Sequence, residues 1–428
     1  MPFLHEKIIL PASDLLTGQQ VYKHLRWLLA TQYWPKDKIL QLQESRLLAL
    51  LMHAKAHVPY YQAWFANHHT SAEKLANPNS LKELPIVDKK IMRQLGSSTF
   101  ISCSSNSHQR IVCHSSGTTG EPFEYYVSKQ AYSLNTAAKL RTWYQAGYRL
   151  GDRYMKLVSS PRDSLIKKMQ DKINNCCCIG FEALDSIGLS SILQAIDRNR
   201  PSILRTHPNI AYLLAKERLN GHYQYSPRVI MTTSSDLTPA YREIIGQAFG
   251  CDIIDSYSCE GTANIAETPL HDGYHISREY GIIEILDSEG RSVENGIGRV
   301  VSTDLWNFDY PFIRYDTHDE VEVRDGIITR ILGRKNETLQ TIDGKLISGQ
   351  VICDYFSYLI HGIEAYQIVN QKDGNLLIRI IPGKTFDRQD CKRIESCWTQ
   401  KTGRVTSVVM VDSIPTTPNG KSLTIINE

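Results

Sequence analysis

The run His114-Ser115-Ser116-Gly117-Thr118-Thr119-Gly120-Glu121-Pro122 follows an apolar pair, Ile111 and Val112. Serines, threonines and glycines in succession cannot pack a core. They can leave a strand as a loop and turn backbone N–H groups and hydroxyls toward an anion. Glycine admits the positive φ angles such a loop needs, and successive N–H groups form an anion-binding concavity. Triphosphate is the evident guest. A plain surface loop has the same composition, so the run alone leaves both readings open.

Four later segments also carry reactive side chains. Ser256-Tyr257-Ser258-Cys259-Glu260-Gly261 closes an apolar run. A carboxylate just past a strand end, Glu260, suits Mg²⁺ on phosphates, and the Tyr257 ring suits stacking on a base. A solvated Glu and a half-buried Tyr are the alternative. Ile313-Arg314-Tyr315-Asp316-Thr317-His318-Asp319 offers a carboxylate able to accept from both hydroxyls of a ribose, or merely one in a hairpin turn. Gly333-Arg334 comes next, and Pro418-Asn419-Gly420-Lys421-Ser422 sets a lysine on a tight turn near the C-terminus. Gly-Lys-Ser also ends the Walker motif. That motif requires glycine at position 415, which is Pro415, and a following helix for which too little chain remains. A P-loop NTPase is therefore excluded.

Composition narrows the classes further. The chain has 428 residues, 42% hydrophobic and 22% charged, enough for a large domain and a smaller one. A net charge of +3 with no Lys/Arg run gives no case for nucleic acid. The first ten residues lack the charged and apolar regions of a secretory signal, and Leu47–Met52 is far too short for a transmembrane segment. The expected location is the cytoplasm. Ten cysteines contain no CxxC pair, and no His stands at zinc-finger spacing. They read as reduced thiols, with Cys176-Cys177-Cys178 a buried strand of small residues rather than a metal cluster.

These chemical segments need positioning elements. Helical spacing runs from about residue 37 to 66 with a break at Pro59, and Asp88 is a helix N-cap. Strands are expected on both sides of the hydroxyl run, then a helix from about 129 to 144. From 203 to 257 short apolar runs alternate with helical patterns (strands 203–206, 228–233 and 251–257; helices 208–220 and 239–250), which argues for parallel α/β layers. From Gly281 to Asp325 turn pairs join strand-like runs, the mark of antiparallel hairpins. A boundary is expected at 333/334. It separates a large domain, residues 1–333, from a small α+β domain, residues 334–428, with helices near 350–359 and 387–402 and strands at 364–369, 376–381 and 405–411.

Taken in order, Ser115 to Gly120, Tyr257 to Glu260, Tyr315 to Asp319, Gly333-Arg334 and Gly420-Lys421 resemble the adenylate-forming superfamily. Within it the chain most resembles the phenylacetate–coenzyme A ligases and their capsular-polysaccharide-biosynthesis relatives. His53-Ala54, Val58-Pro59-Tyr60-Tyr61, Leu84-Pro85 and Asp88-Lys89 fit the same branch, as do Arg299–Leu305 and Pro311–Tyr315. The resemblance runs from about residue 40 to the end.

It implies a large adenylation domain with parallel α/β layers and antiparallel strands, and a small mobile C-terminal domain. It also implies ATP-dependent activation of a carboxylic acid. Ser115, Ser116, Gly117, Thr118, Thr119 and Gly120 would close over the β- and γ-phosphates of ATP. Tyr257 would stack on adenine, with Ser234, Ser235 and Asp236 along its edge. Glu260 would hold Mg²⁺, Asp319 the ribose and Arg334 the hinge, and Lys421 would reach the carboxylate and α-phosphate. The acyl acceptor, coenzyme A, a carrier-protein thiol or an amine, would come from outside, since no carrier segment follows Lys421. A homodimer is compatible with the resemblance. Val158–Pro161 and Ile230–Thr233 are acyl-pocket candidates by position. Five residues depart from the family pattern: Glu121 where lysine is usual, Ser258 for glycine, His318 for a small or basic residue, and Ser235-Asp236 for a glycine–glutamate type pair. A non-catalytic nucleotide binder or an interaction protein of a polysaccharide pathway is the alternative.

Overall fold

The computed structural model describes residues 4–428 except 105–109, 115–123, 159–164, 181–185, 234–236, 238, 259–264, 268–269, 335–338, 344–345, 348–351, 353–354, 357–359, 361, 384–385 and 416–422. Its centre is a sheet of eleven strands. A two-stranded antiparallel ribbon precedes it, formed by β1 (Arg110–His114) and β2 (Glu124–Ser128), in register from Arg110 opposite Ser128 to His114 opposite Glu124. The hydroxyl run therefore connects two paired strands, as expected, although its own residues lie outside the described set.

Five strands form the parallel half: β3 (Tyr154–Val158), β4 (Cys176–Gly180), β5 (Ile203–Thr206), β6 (Val229–Thr233) and β7 (Asp252–Tyr257). They lie in the order β7-β6-β5-β3-β4. The inner strands read as unbroken apolar runs because both faces are covered. Met155, Leu157, Leu204, Ile230 and Ile253 pack on one face against helices Ser186–Asn199, Pro208–Asn220 and Pro239–Phe249. Tyr154, Ile203, Val229, Met231 and Ile254 pack on the other against Leu140, Trp143 and Tyr144 of helix Lys129–Gln145. One expectation is corrected: Cys176, Cys177 and Cys178 form the outermost strand, β4, and are only partly buried.

The antiparallel half continues the same sheet. It comprises β8 (Ile265–Glu267), β9 (Tyr274–Ile276), β10 (Gly281–Leu286), β11 (Gly296–Asp304), β12 (Tyr315–Arg324) and β13 (Ile327–Arg334). The order β10-β11-β12-β13-β9-β8-β7 makes β8 and β9 the link between halves. Three-residue strands are too short to show a period, which is why sequence reading passes over them.

The helices Leu10–Thr17, Val21–Thr31 and Lys36–His57 cover helix Lys129–Gln145 from outside, with Leu25, Leu28, Leu47, Leu50, Leu134 and Ala138 in one core. The long expected helix is two: Pro59 opens a second one, Pro59–His68, because proline fits the first helical turn but not an interior.

Beyond β13 stand β14 (Leu339–Gln340) and β15 (Leu346–Ile347) as a ribbon. A four-stranded sheet follows, from β16 (Ile363–Asn370), β17 (Leu376–Pro382), β18 (Thr406–Met410) and β19 (Ile425–Asn427), in the order β18-β17-β16-β19. Helix Asp390–Thr402 buries Ile394 and Trp398 against it. The expected helix near 350–359 falls mostly outside the described residues.

Asp304, at the end of β11, is buried. It accepts from the backbone N–H groups of Trp306 at 2.8 Å and Asn307 at 3.1 Å and from the Tyr280 hydroxyl at 2.9 Å. Burial outweighs these bonds and pushes its carboxyl up to about 7 from an ordinary 3.8. A carboxyl raised in the folded state stabilises the fold below the unfolded value and loses that contribution as pH rises through the folded one. Asp304→Asn has no such titration. Its urea midpoint relative to wild type is expected to rise between pH 4 and pH 7; a pH-independent difference would exclude the titration.

Candidate active site

Parallel strands present their carboxyl ends as a ligand-binding rim. At that rim the ends of β6 and β7 are braced from below. Thr232 Oγ1 donates to Asp255 at 2.6 Å, the Tyr274 hydroxyl donates to the same carboxylate at 2.8 Å, and Ser256 Oγ donates to the Thr232 carbonyl at 3.0 Å. Arg242 grips Glu267 through two bonds of 2.7 Å and donates to the Ile253 carbonyl at 2.9 Å. Burial raises the Asp255 carboxyl to about 6 despite its two hydroxyl donors.

Tyr257 ends β7, and its hydroxyl donates to Asp319 Oδ2 at 2.6 Å. Asp319 reaches this place because β12 bulges. The register pairs Arg299 with Glu320 and Val301 with Asp316, so Thr317, His318 and Asp319 stand opposite Val300 alone. A bulge re-aims side chains next to it. Within it His318 takes φ +58°, its N–H donates to Asp316 Oδ1 at 2.8 Å, and the Asp319 N–H donates to Thr317 Oγ1 at 3.0 Å. Asp316 is held by Arg299 at 2.9 Å. Arg334 lies directly across from Asp319 on the next strand, by backbone register.

The His318 departure from the family pattern has a structural partner. Its Nε2 lies 3.1 Å from Asp88 Oδ2. The other oxygen of Asp88 accepts the Ile91 N–H at 2.7 Å and caps helix Lys89–Leu95 as expected. The chain before that cap also joins β12: Val87 N donates to the Arg314 carbonyl at 3.1 Å, and Asp316 N to the Val87 carbonyl at 2.8 Å.

The structure thus brings Tyr257, Asp319 and the backbone of Arg334 together. Ser115, Ser116, Gly117, Thr118, Thr119, Gly120, Ser235, Asp236, Glu260 and Lys421 lie outside the described residues. The chain just after Lys421 is anchored: the Leu423 carbonyl accepts from Gln367 Nε2 at 3.0 Å, the Thr424 carbonyl from Ile368 N at 2.8 Å, and β19 pairs in parallel with β16.

On the opposite side of the β7 end, a cavity of about 380 Å³ lies between the sheet and helix Lys129–Gln145. Thr233, Ser256 and Ser258 line it near Tyr257, and Met231, Lys156, Arg205 and Lys139 line it deeper. Of the acyl-pocket candidates in β6, Met231 and Thr233 face this cavity, whereas Ile230 is buried in the helix-covered core on the other face. Lys139 is an exposed residue of helix Lys129–Gln145 that lines this cavity. Burial, then the charges of Arg205 and Lys156, pull its ammonium down to about 8. Burial likewise lowers Arg205. Sequence reading passed over these three cations. The available sign was a charged residue inside an apolar parallel strand, Ile203-Leu204-Arg205, and a lysine on the sheet-facing side of a helix.

Among the described residues no group of three or more His, Cys, Asp or Glu side chains could hold a metal ion, and no helix is long and apolar enough to cross a membrane. No curated protein sequence matches the chain. A family model for the CapK C-terminal domain matches residues 339–428. Among solved structures, 2-hydroxyisobutyryl-CoA ligase in the postadenylation state, in complex with 2-HIB-AMP, aligns with a TM-score of 0.72 at 18% identity, over 92% of this chain and 90% of that one. An open conformation of the same enzyme with 2-HIB-AMP and CoA aligns at 0.59 and 18%, over 92% and 93%. The amide bond synthetase McbA from Marinactinospora thermotolerans aligns at 0.56 and 17%, over 75% and 68%. The chain therefore has the fold of these ligases, and its residues 339–428 match the CapK C-terminal domain.

Proposed function

We propose that this protein activates a carboxylic acid with ATP, forming an acyl-adenylate and releasing pyrophosphate, and then passes the acyl group to coenzyme A, a carrier-protein thiol or an amine. The observation that carries this reading is the Tyr257–Asp319 hydrogen bond at the carboxyl end of the parallel strands. It sets an aromatic ring beside a buried carboxylate, the pair needed for a base and its ribose. The fold shared with ligases solved with acyl-adenylates supports it.

In this reading the carboxylate attacks the α-phosphorus, an approach of two anions that needs cations near the developing charge. Ser115 to Gly120 enclose the phosphates and Lys421 reaches the reacting oxygens. Ser235 and Asp236 line the adenine edge. Arg334 is the hinge between a large domain, 1–333, and a small one, 334–428. Glu260 is the residue assigned to Mg²⁺, which would offset phosphate charge. A cytoplasmic location belongs to the same reading.

Carboxylate-dependent ATP–pyrophosphate exchange tests it. Exchange with at least one acid from a panel of aryl, fatty and amino acids is expected. ATP binding with no exchange across the panel would instead support a non-catalytic nucleotide binder, to which the Glu121 and Ser235-Asp236 departures would then belong. A narrower outcome concerns Tyr257→Phe, which keeps the ring and removes the hydroxyl. The hydroxyl fixes the Asp319 carboxylate in place, so its loss should raise the KM for ATP with a smaller change in kcat. An unchanged KM would separate the pair from nucleotide binding.

A further inference from the structure

Lys156 and Arg205 stand directly opposite each other on β3 and β5. Both line the cavity under helix Lys129–Gln145, and Lys139 enters it from that helix. Lys139 and Arg205 have no carboxylate partner among the described residues. Two carboxylates also line the cavity, and each is engaged elsewhere. Asp14 Oδ2 accepts the Tyr22 N–H at 2.7 Å, and Asp171 lies beside Tyr154 and Cys176, whose protons its charge helps retain. Lys139 is exposed and Arg205 half-buried, and both line the same cavity. Cations gathered around one open space raise the local positive potential and favour an anion that enters from outside.

We infer that the cavity receives the far end of the acid, and that this end carries a second anionic group bound by Lys139 and Arg205. The inference rests on the adenylating reading. The direction follows from the sheet. Thr233, Ser256 and Ser258 lie at the Tyr257 end of the cavity. Arg205 is in register with Met231, two residues before Thr233 on the same strand. Two residues of strand are roughly 7 Å, close to the separation of the two carboxylates of an adipate-sized acid. The volume, about 380 Å³, sits at the small end of the range for small-molecule sites. The substrate class is therefore a compact acid with a carboxylate, phosphate or sulfate remote from the carboxylate that is activated. The depressed Lys139 ammonium agrees with a site whose charge is completed by its ligand.

The experiment uses the full-length protein. ATP–pyrophosphate exchange is measured with adipate and glutarate and with the monomethyl ester of each. Wild type should favour the diacid over its ester at least tenfold in kcat/KM. Lys139→Met should cut that ratio at least tenfold, and Lys139→Arg, which keeps the charge, should restore most of it. Equal or reversed preference in wild type would overturn the inference. If no acid supports exchange, the adenylating reading fails on its own account, and equilibrium dialysis of radiolabelled adipate without ATP decides the cavity. Saturable binding that is lost in Lys139→Met upholds an anion site there. No binding, or binding that Lys139→Met leaves intact, removes it.

Discussion

Lys421→Ala is expected to lower ATP–pyrophosphate exchange by about a thousandfold while ATP binding stays within a few-fold of wild type. Removing one preorganised group that stabilises charge in the transition state typically costs ~10²–10³ in rate. The assigned partners of Lys421, a carboxylate and the α-phosphate, form their bond only in the reaction, so ground-state nucleotide binding has little to lose. Exchange kinetics together with equilibrium dialysis of ATP check both halves. Undiminished adenylate formation in the variant would remove Lys421 from the chemistry. A parallel loss of ATP binding would make it a nucleotide anchor instead.

Arg141→Met is expected to destabilise the fold by about 3–5 kcal/mol, the range for breaking a buried ion pair by removing one partner. Arg141 Nη1 donates to Glu279 Oε1 at 2.6 Å, and the two side chains are 9% and 5% exposed. Its Nη2 donates to Ser277 Oγ at 2.8 Å, and Thr31 Oγ1 donates to the same Glu279 oxygen at 2.8 Å. Three parts of the chain therefore meet at one carboxylate: helix Val21–Thr31, helix Lys129–Gln145 and the turn before β10. Against a usual net stability of about 5–15 kcal/mol, the single variant is badly compromised. The double variant Arg141→Met/Glu279→Met leaves no orphaned charge and should recover most of the loss. Urea unfolding of wild type, both singles and the double measures this. If the single variant unfolds with the wild-type midpoint, the pair does not hold these elements together. The same helix carries Lys139, so the effect also bears on the cavity.

Much of the architecture was legible from local pattern. The alternation between 203 and 257 correctly implied parallel layers, and the turn pairs between 281 and 325 correctly implied antiparallel strands, because strand and helix periods are properties of neighbouring residues. Asp88 was readable as a cap for the same reason: its acceptor oxygen meets an N–H three residues on. β8, β9 and β19 were not legible, since three residues carry no period. Nor was the outer place of Cys176–Cys178, because a run of small thiols looks alike at the centre and the edge of a sheet.

The candidate site divides in the same way. By itself the sequence determined which residue types recur in which order: a hydroxyl run, Tyr257, Asp319, Arg334 and Lys421. Only the tertiary structure decided what touches what. Tyr257 and Asp319 are 62 residues apart and meet at 2.6 Å. Asp88 and His318 are 230 apart and meet at 3.1 Å. The bulge that aims Asp319 exists only in the register between β11 and β12. Lys139, Lys156 and Arg205 face one cavity only because a helix lies across two particular strands. The physical reason is that propensity and capping act within a turn or two of chain. Register, burial and charge proximity depend on which distant elements pair, and local sequence does not encode that choice.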